Sequence, residues 1–381
     1  MSRYQYRADE LLVHVDDCGL IKSELAGHGY RAADRRGPLL RFVGEPARRA
    51  VPELLAELRA RHGTGLRVSP NHVFGCDRII WGSLRPRPTG RSFPEPPPIG
   101  PGERVKVGVV DTGIVQRNGE PHPYIKGRVV YGPDDVDAVA KDVDGYPTGS
   151  AGHGTFVTGL IVREAPNAVV HMKGVVDKSS GQVEDLAVAD AIDSLRAEGV
   201  ELINLSFSGS TWEDVPPKAI ENALLRLDSS VVVVCAAGNR GTSGVLYPAG
   251  IRLRKEPEKG VEPALVIAVG AAVEERATPE VAAFSGHGPW VSAYAGGVDV
   301  IGPYFETGYP EGYNGWAIWS GTSFAAATLT GWIAARVDAG RSARAVADEL
   351  ITNKETRPAE IAVWDVNGSR DVPYIQGLGI G

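Results

Sequence analysis

From Val105 to the end, the chain alternates short blocks of branched apolar residues with longer segments whose apolar positions recur at helical spacing. Val105–Val110, Val169–Lys173, Glu201–Gly209, Ser230–Ala237 and Ala264–Gly270 predict buried strands. The small-residue run beginning at His153, then Leu186–Ala197, Thr322 to about Val337, and Ala343–Ile351 predict helices. Strand and helix in turn predict an α/β architecture, a mainly parallel sheet with helices on both faces. Before Val105 the pattern changes. Leu11–Val15 and Leu39–Val43 read as strands, Ile21–Ala26 as a short helix, and Val51–Arg61 as an amphipathic helix with Val51, Leu54, Leu55 and Leu58 on one face. Residues 1–85 are therefore expected to form a small α+β domain and residues 103–381 the larger α/β domain. Between them, residues 86–102 are so dense in proline and glycine that they predict an extended linker and no element of a core. Ile251 to Glu262 is charged and predicts a surface loop.

Composition narrows the function. The chain has 381 residues, 43% of them apolar and 23% charged, and a net charge of −7. That is an ordinary globular balance with no broad basic field for phosphates, which argues against nucleic acid as a partner. No apolar run approaches the roughly 20 residues of a membrane span, and Met1–Glu10 does not read as a signal peptide, so a cytoplasmic location is expected. Cys18, Cys76 and Cys235 are odd in number and lack metal-ligand spacing. The eight histidines are scattered, so no catalytic metal is expected.

Four places carry candidate chemistry. Ser323 follows Gly321-Thr322 and opens a helix, where unpaired N–H groups and the helix dipole favour a nearby oxyanion. Taken alone, a capping serine is the commoner explanation, and only partners elsewhere in the chain overturn it. Asp111 ends the strand Val105–Val110, His153 lies in the first turn of its helix, and Asn239 follows the strand Ser230–Ala237. Aspartate, histidine and serine can form an oriented base and an activated hydroxyl, and an asparagine amide can donate to an oxyanion.

The motifs Asp111-Thr112-Gly113, Gly152-His153-Gly154-Thr155, Gly238-Asn239 and Gly321-Thr322-Ser323, in that order, resemble those of the subtilisin-like serine proteases, peptidase family S8. The resemblance implies a three-layer α/β fold, a serine endopeptidase acting through an acyl-enzyme, and protein or peptide substrates. It assigns Asp111 to orienting the imidazole, His153 to general base and acid, Ser323 to nucleophile and Asn239 to oxyanion donor. It further implies that Ser206, Phe207 and Ser208 pair with the substrate backbone and that Ala236, Ala237 and Gly238 form the opposite pocket wall. Leu246 at the pocket floor and Arg240 at its rim then predict a shallow pocket for small or acidic side chains. Tyr247-Pro248 resembles a family site with a cis bond. Residues 1–85 resemble a propeptide, the expected inhibitor of the cleft, with a permanent accessory α+β domain as the alternative reading. No cofactor is needed for the chemistry, and the acidic stretch with Asp134, Asp135, Asp137, Asp142 and Asp144 is a candidate for structural calcium. Ser208, Ala295-Gly296-Gly297 and Ala327 depart from the family pattern. Two rivals stand beside this reading. Asp111-Thr112-Gly113 is also an aspartic-protease motif, although no second copy is present. The other rival is a non-catalytic peptide-binding module on the same fold.

Overall fold

A computed structural model describes residues 4–45, 49–75, 85–100, 104–137, 150–177, 182–254, 262–274, 279–305, 312–352, 360–365 and 368–375. Its seven described helices are α1 (Cys18–Gly27), α2 (Val51–His62), α3 (His153–Glu164), α4 (Asp185–Ala197), α5 (Lys218–Leu225), α6 (Thr322–Ala334) and α7 (Ala343–Thr352).

The main sheet is built on the strands Ala293–Gly296, Leu265–Val273, Val232–Ala236, Leu202–Leu205, Lys106–Asp111, Val169–Gly174 and Val129–Val130, which lie side by side in that order and are all parallel. Their Val- and Ile-rich sequences lack alternation because both faces are covered. On one face α3, α6 and α7 join the first core cluster; on the other, α4 and α5 join the second. All of α6 is buried except Trp332, which is why its sequence is apolar or small all round. Chain order reverses between Lys106–Asp111 and Leu202–Leu205. Ligands bind at such a switch point, beyond the carboxyl ends of the strands.

Residues 4–75 make a second, antiparallel sheet. Gln5–His14 lies between Leu39–Val43 and Val68–Gly75, and Arg31–Arg36 forms an edge. Alternation along these strands buries both faces. Leu11, Val13 and Phe42 pack with α1 and α2, while Leu12, Leu39 and Phe74 point into the cluster of α4 and α5. The body contributes the fifth strand, Gln182–Glu184, paired antiparallel with Val73–Gly75. Trp212 of the body is buried in the cluster of α1 and α2, beneath the guanidinium of Arg59.

Several expectations need correction. The strand Gln5–His14 begins earlier than the Leu11–Val15 reading, and Arg31–Arg36 was not foreseen. The ladder expected over 201–209 stops at Leu205; beyond it Gly209 exchanges two backbone hydrogen bonds of 2.9 Å with Tyr247. The segment read as a linker without core contacts places Phe93 in the first core cluster, 6% exposed, because Trp316 and Tyr124 provide an aromatic seat. Nor is Ile251 surface: it is buried in the second cluster. Residues 255–261, Cys76, Asp142, Asp144 and the last residues, 376–381, lie outside the described residues. Among the described residues no helix is long and apolar enough to cross a membrane.

Candidate active site

Asp111, His153, Asn239 and Ser323 converge at the carboxyl edge of the central strands. Asp111 is the last residue of its strand. The Thr112 N–H donates to its Oδ1 at 2.7 Å, and the Thr112 hydroxyl accepts from the Gly154 N–H at 3.0 Å. These bonds fasten the strand end to the first turn of α3. Gly154 faces the Gly113 carbonyl so closely that a Cβ would collide with backbone. Gly152, at φ 80°, begins the helix in the left-handed region with the Tyr304 ring 2.6 Å from where a Cβ would stand. The two glycines of this motif thus allow the close approach that brings imidazole to carboxylate.

His153 Nδ1 lies 2.7 Å from Asp111 Oδ1 and 2.9 Å from Oδ2, with both residues buried. A carboxylate only accepts, so Nδ1 carries the proton and Nε2 presents a lone pair. The ring is held by Trp319, edge-on at 5.4 Å between centroids, and by Phe324, also at 5.4 Å. These two residues flank Ser323 in sequence.

Ser323 stands in the first turn of α6 and is 7% exposed. Its hydroxyl donates to the Ser206 carbonyl at 3.0 Å, and the Ser206 hydroxyl donates to the Ser323 carbonyl at 3.3 Å. Asn239 Oδ1 accepts from the Thr322 N–H and from the Thr322 hydroxyl, both at 2.9 Å. With the oxygen end fixed, the NH2 end of the amide is directed away from Thr322. The Thr322 hydroxyl also accepts from the Gly238 N–H at 3.0 Å, tying the asparagine loop to the serine helix.

The residues assigned to substrate binding divide. Ser206 touches Ser323 directly. Ala237, Phe207 and Leu246 are buried in the second core cluster, and the Phe207 ring lies 5.8 Å from that of Phe74. Ala236 belongs to the first cluster, and Ser208 is buried. Gly238 is anchored through its carbonyl, which accepts from Gly286 at 2.8 Å. Exposed Arg240 donates to the Ser210 hydroxyl at 3.2 Å. Tyr247-Pro248 is cis.

Sequence reasoning missed the supports. Thr322 orients Asn239. Asn204 accepts from the Ser206 hydroxyl at 2.6 Å and donates to Thr330 at 3.1 Å, a buried polar chain behind the serine. An asparagine inside the apolar run Leu202-Ile203-Asn204-Leu205 was the available signal, since a buried amide needs partners.

Of the calcium candidate, Asp142 and Asp144 lie outside the described residues, and the described Asp135 and Asp137 bind backbone. Asp135 accepts from the N–H groups of Gly132 at 2.8 Å and Gly174 at 2.9 Å, and Asp137 accepts from Gly152 at 2.8 Å. These carboxylates cap backbone, and among the described residues no three metal-binding side chains gather. Burial pushes the Cys235 thiol well above its ordinary value, which leaves it unreactive.

The fold is a parallel α/β sheet whose switch point gathers an Asp–His pair and a helix-initiating serine. The subtilase family model matches residues 102–369, and the chain belongs to that family. It is 32% identical over 249 residues to a thermophilic serine proteinase of Bacillus sp. (strain AK1), covering 62% of this chain and 53% of the relative. To subtilisin DY of Bacillus licheniformis it is 31% identical over 217 residues, covering 55% and 70%. To thermitase of Thermoactinomyces vulgaris it is 34% identical over 161 residues, covering 40% and 53%. The chain thus spans about half the length of two of these three relatives. Fervidolysin from Fervidobacterium pennivorans, a keratinolytic enzyme related to subtilisin, shares the fold: TM-score 0.60, 21% identity, 88% of this chain and 55% of that one.

Proposed function

We propose that the protein is a serine endopeptidase that cleaves protein or peptide substrates, with Asp111, His153 and Ser323 as its triad and Asn239 as oxyanion donor. The observation that carries the reading is the Asp111 carboxylate on His153 Nδ1, on an imidazole held by the two aromatic rings that flank Ser323. For the reaction the serine hydroxyl leaves the Ser206 carbonyl and turns to His153 Nε2; such bonds commonly close only when substrate arrives. Oγ then attacks the carbonyl carbon while its proton passes to Nε2. The oxyanion accepts from the Asn239 amide and the Ser323 N–H, aided by the positive end of α6. His153 returns the proton to the leaving amine, leaving an acyl-enzyme that water hydrolyses by the same steps. Asp111 stays ionised and stabilises the imidazolium. The chemistry requires no cofactor.

In this reading residues 1–85 restrain the enzyme. Support comes from Val73–Gly75, which occupies the edge of Gln182–Glu184 as an extended strand, and from Phe74, which packs on Phe207 beside the substrate wall. Arg240 at the rim and Leu246 beneath favour small or acidic side chains before the cut bond; a peptide-library profile dominated by large aromatic residues would refute that preference. The activity itself is tested with a fluorophosphonate probe. One adduct on Ser323, absent in Ser323→Ala, supports the reading. Probe-inert protein that still binds extended peptide would instead favour a non-catalytic binding module.

A further inference from the structure

The proline-rich segment 85–100 does more than connect. Arg87–Pro88 is the third strand of a small antiparallel sheet, with Arg87 opposite Ile318 and Pro88 opposite Ala317. Its partner strand, Trp316–Trp319, runs directly into Ser320-Gly321-Thr322-Ser323. Arg87 Nη2 donates to Asp299 Oδ1 at 2.6 Å. The Asp299 N–H donates to the Ser320 hydroxyl at 2.8 Å, and that hydroxyl lies 3.3 Å from Asp299 Oδ1. Asp299 holds φ 50°, a left-handed conformation uncommon outside glycine, so its turn persists because surrounding bonds fix it. An ion pair on the segment is therefore one residue contact away from the serine motif.

Phe93 makes the second link. Its ring stands edge-to-face with Trp316 at 5.1 Å and tilted on Tyr124 at 5.3 Å, and the Arg163 guanidinium lies 5.1 Å above it. Arg163 belongs to α3, the helix that begins with His153. One buried ring thus joins the strand leading to Ser323 and the helix carrying His153. Further ties run along the segment. The Tyr313 hydroxyl donates to the Pro86 carbonyl, Arg128 donates to the Pro97 carbonyl, and the Gly100 N–H donates to Asn167 Oδ1 at 3.0 Å.

We propose that residues 85–100 are a strap of the catalytic body, with Phe93 and Arg87 as positioning residues that hold the serine strand against the histidine helix. Any cut that frees the N-terminal domain then falls between Gly75 and Arg85, and the strap stays behind. Proline suits this role: it presets an extended backbone, so the unfolded chain loses less entropy when the strap is laid down. What the positioning serves rests on the serine-peptidase reading; the attachment of the strap does not.

Both parts are tested on full-length chains. Phe93→Ala is expected to slow fluorophosphonate labelling of Ser323 by about tenfold to a hundredfold at temperatures well below unfolding, the scale of a site displaced by a fraction of an ångström or more. Phe93→Tyr should restore the rate to near wild type, and Arg87→Gln, which breaks an exposed pair, should slow it by at most a few-fold without changing Phe93's burial. If Phe93→Ala does not fold, Phe93→Leu and Arg87→Gln carry the comparison. Labelling at the wild-type rate in folded variants with lowered thermal midpoints would overturn positioning and leave a purely structural segment. Attachment is read in Ser323→Ala with an added broad-specificity protease: the retained body should begin at or before Arg85. A body that begins at Gly102 to Arg104 would overturn the strap. Wild-type protein that takes no label while the strap resists the protease would count against the peptidase reading and leave the attachment supported.

Discussion

The stretch preceding the catalytic body meets that body in two ways. Residues 4–75 dock on it through a seam with an apolar centre and a charged border. Leu12, Leu39 and Phe74 enter the cluster of α4 and α5, Trp212 crosses the other way, and around them lie the pairs Arg7–Glu184, Arg36–Asp190 and Arg59–Glu213. All six of those charged side chains are partly exposed. That is the anatomy of an interface between bodies that can separate, dry in the middle and polar at the rim. The strap has the exposed Arg87–Asp299 pair too, but its Phe93 is one of the side chains of the main core. On the strap proposal the division of this chain falls before the proline-rich segment and not after it, whereas composition sets residues 86–102 apart as a linker.

The comparison can be broken most sharply at the site. Ser323→Ala is expected to lower kcat by about a millionfold, the loss seen when the nucleophile of such a triad is removed, and with it any self-cleavage; residual cutting at the wild-type rate would assign the separation to another protease. Asn239→Ala should cost about a hundredfold to a thousandfold in kcat, with KM little changed, because its amide meets charge only in the transition state.

Next in size is the docking seam. Phe74→Ala removes a buried ring and should cost about 3–5 kcal/mol. The expected form of that loss is an early calorimetric transition of residues 1–85, with the later transition of the body unmoved. A single transition that shifts as a whole would make the two parts one cooperative unit and erase the contrast. Smaller still are the rim pairs. Arg36→Gln should cost at most about 1 kcal/mol, since exposed pairs are weak, and the cost should shrink as salt is added.

The smallest effect concerns acid. The Asp17 carboxyl is held below the ordinary carboxylate range, first by its hydrogen bond from the Arg67 side chain, against burial, and then by the Arg67 N–H. A lowered folded-state value contributes stability above about pH 4 and loses it as pH falls through the depressed value. Asp17→Asn should therefore lower the first thermal transition at neutral pH and make little difference near pH 3. An equal loss at both values would show that the side chain acts by shape and not by charge.

The sequence was legible where local pattern and chemistry coincide. Asp111 ends an apolar strand, His153 and Ser323 open small-residue helices, and Asn239 follows a buried strand, so each candidate could be read from its own neighbourhood. The parallel sheet was legible for the same reason, since strands covered on both faces are apolar throughout. What escaped was set by partners far away in sequence. Phe93 sits alone among prolines with no periodicity around it, and its burial depends on Trp316 and Tyr124. Gln182–Glu184 gives no strand signal of its own and becomes one by pairing with Val73–Gly75. Trp212 opens a short 3-10 turn of the body yet packs in the core of the other domain. Asp135 and Asp137 read only as charge in the sequence, whereas in the fold they accept from backbone N–H groups.

The most direct test of the central claim is an intact-mass time course of the purified full-length chain beside Ser323→Ala. The account predicts that the wild type alone resolves into two masses, with a cut between Gly75 and Arg85 and the body retaining its strap. Cleavage in both proteins, or a wild type that stays whole and takes no fluorophosphonate on Ser323, would contradict it.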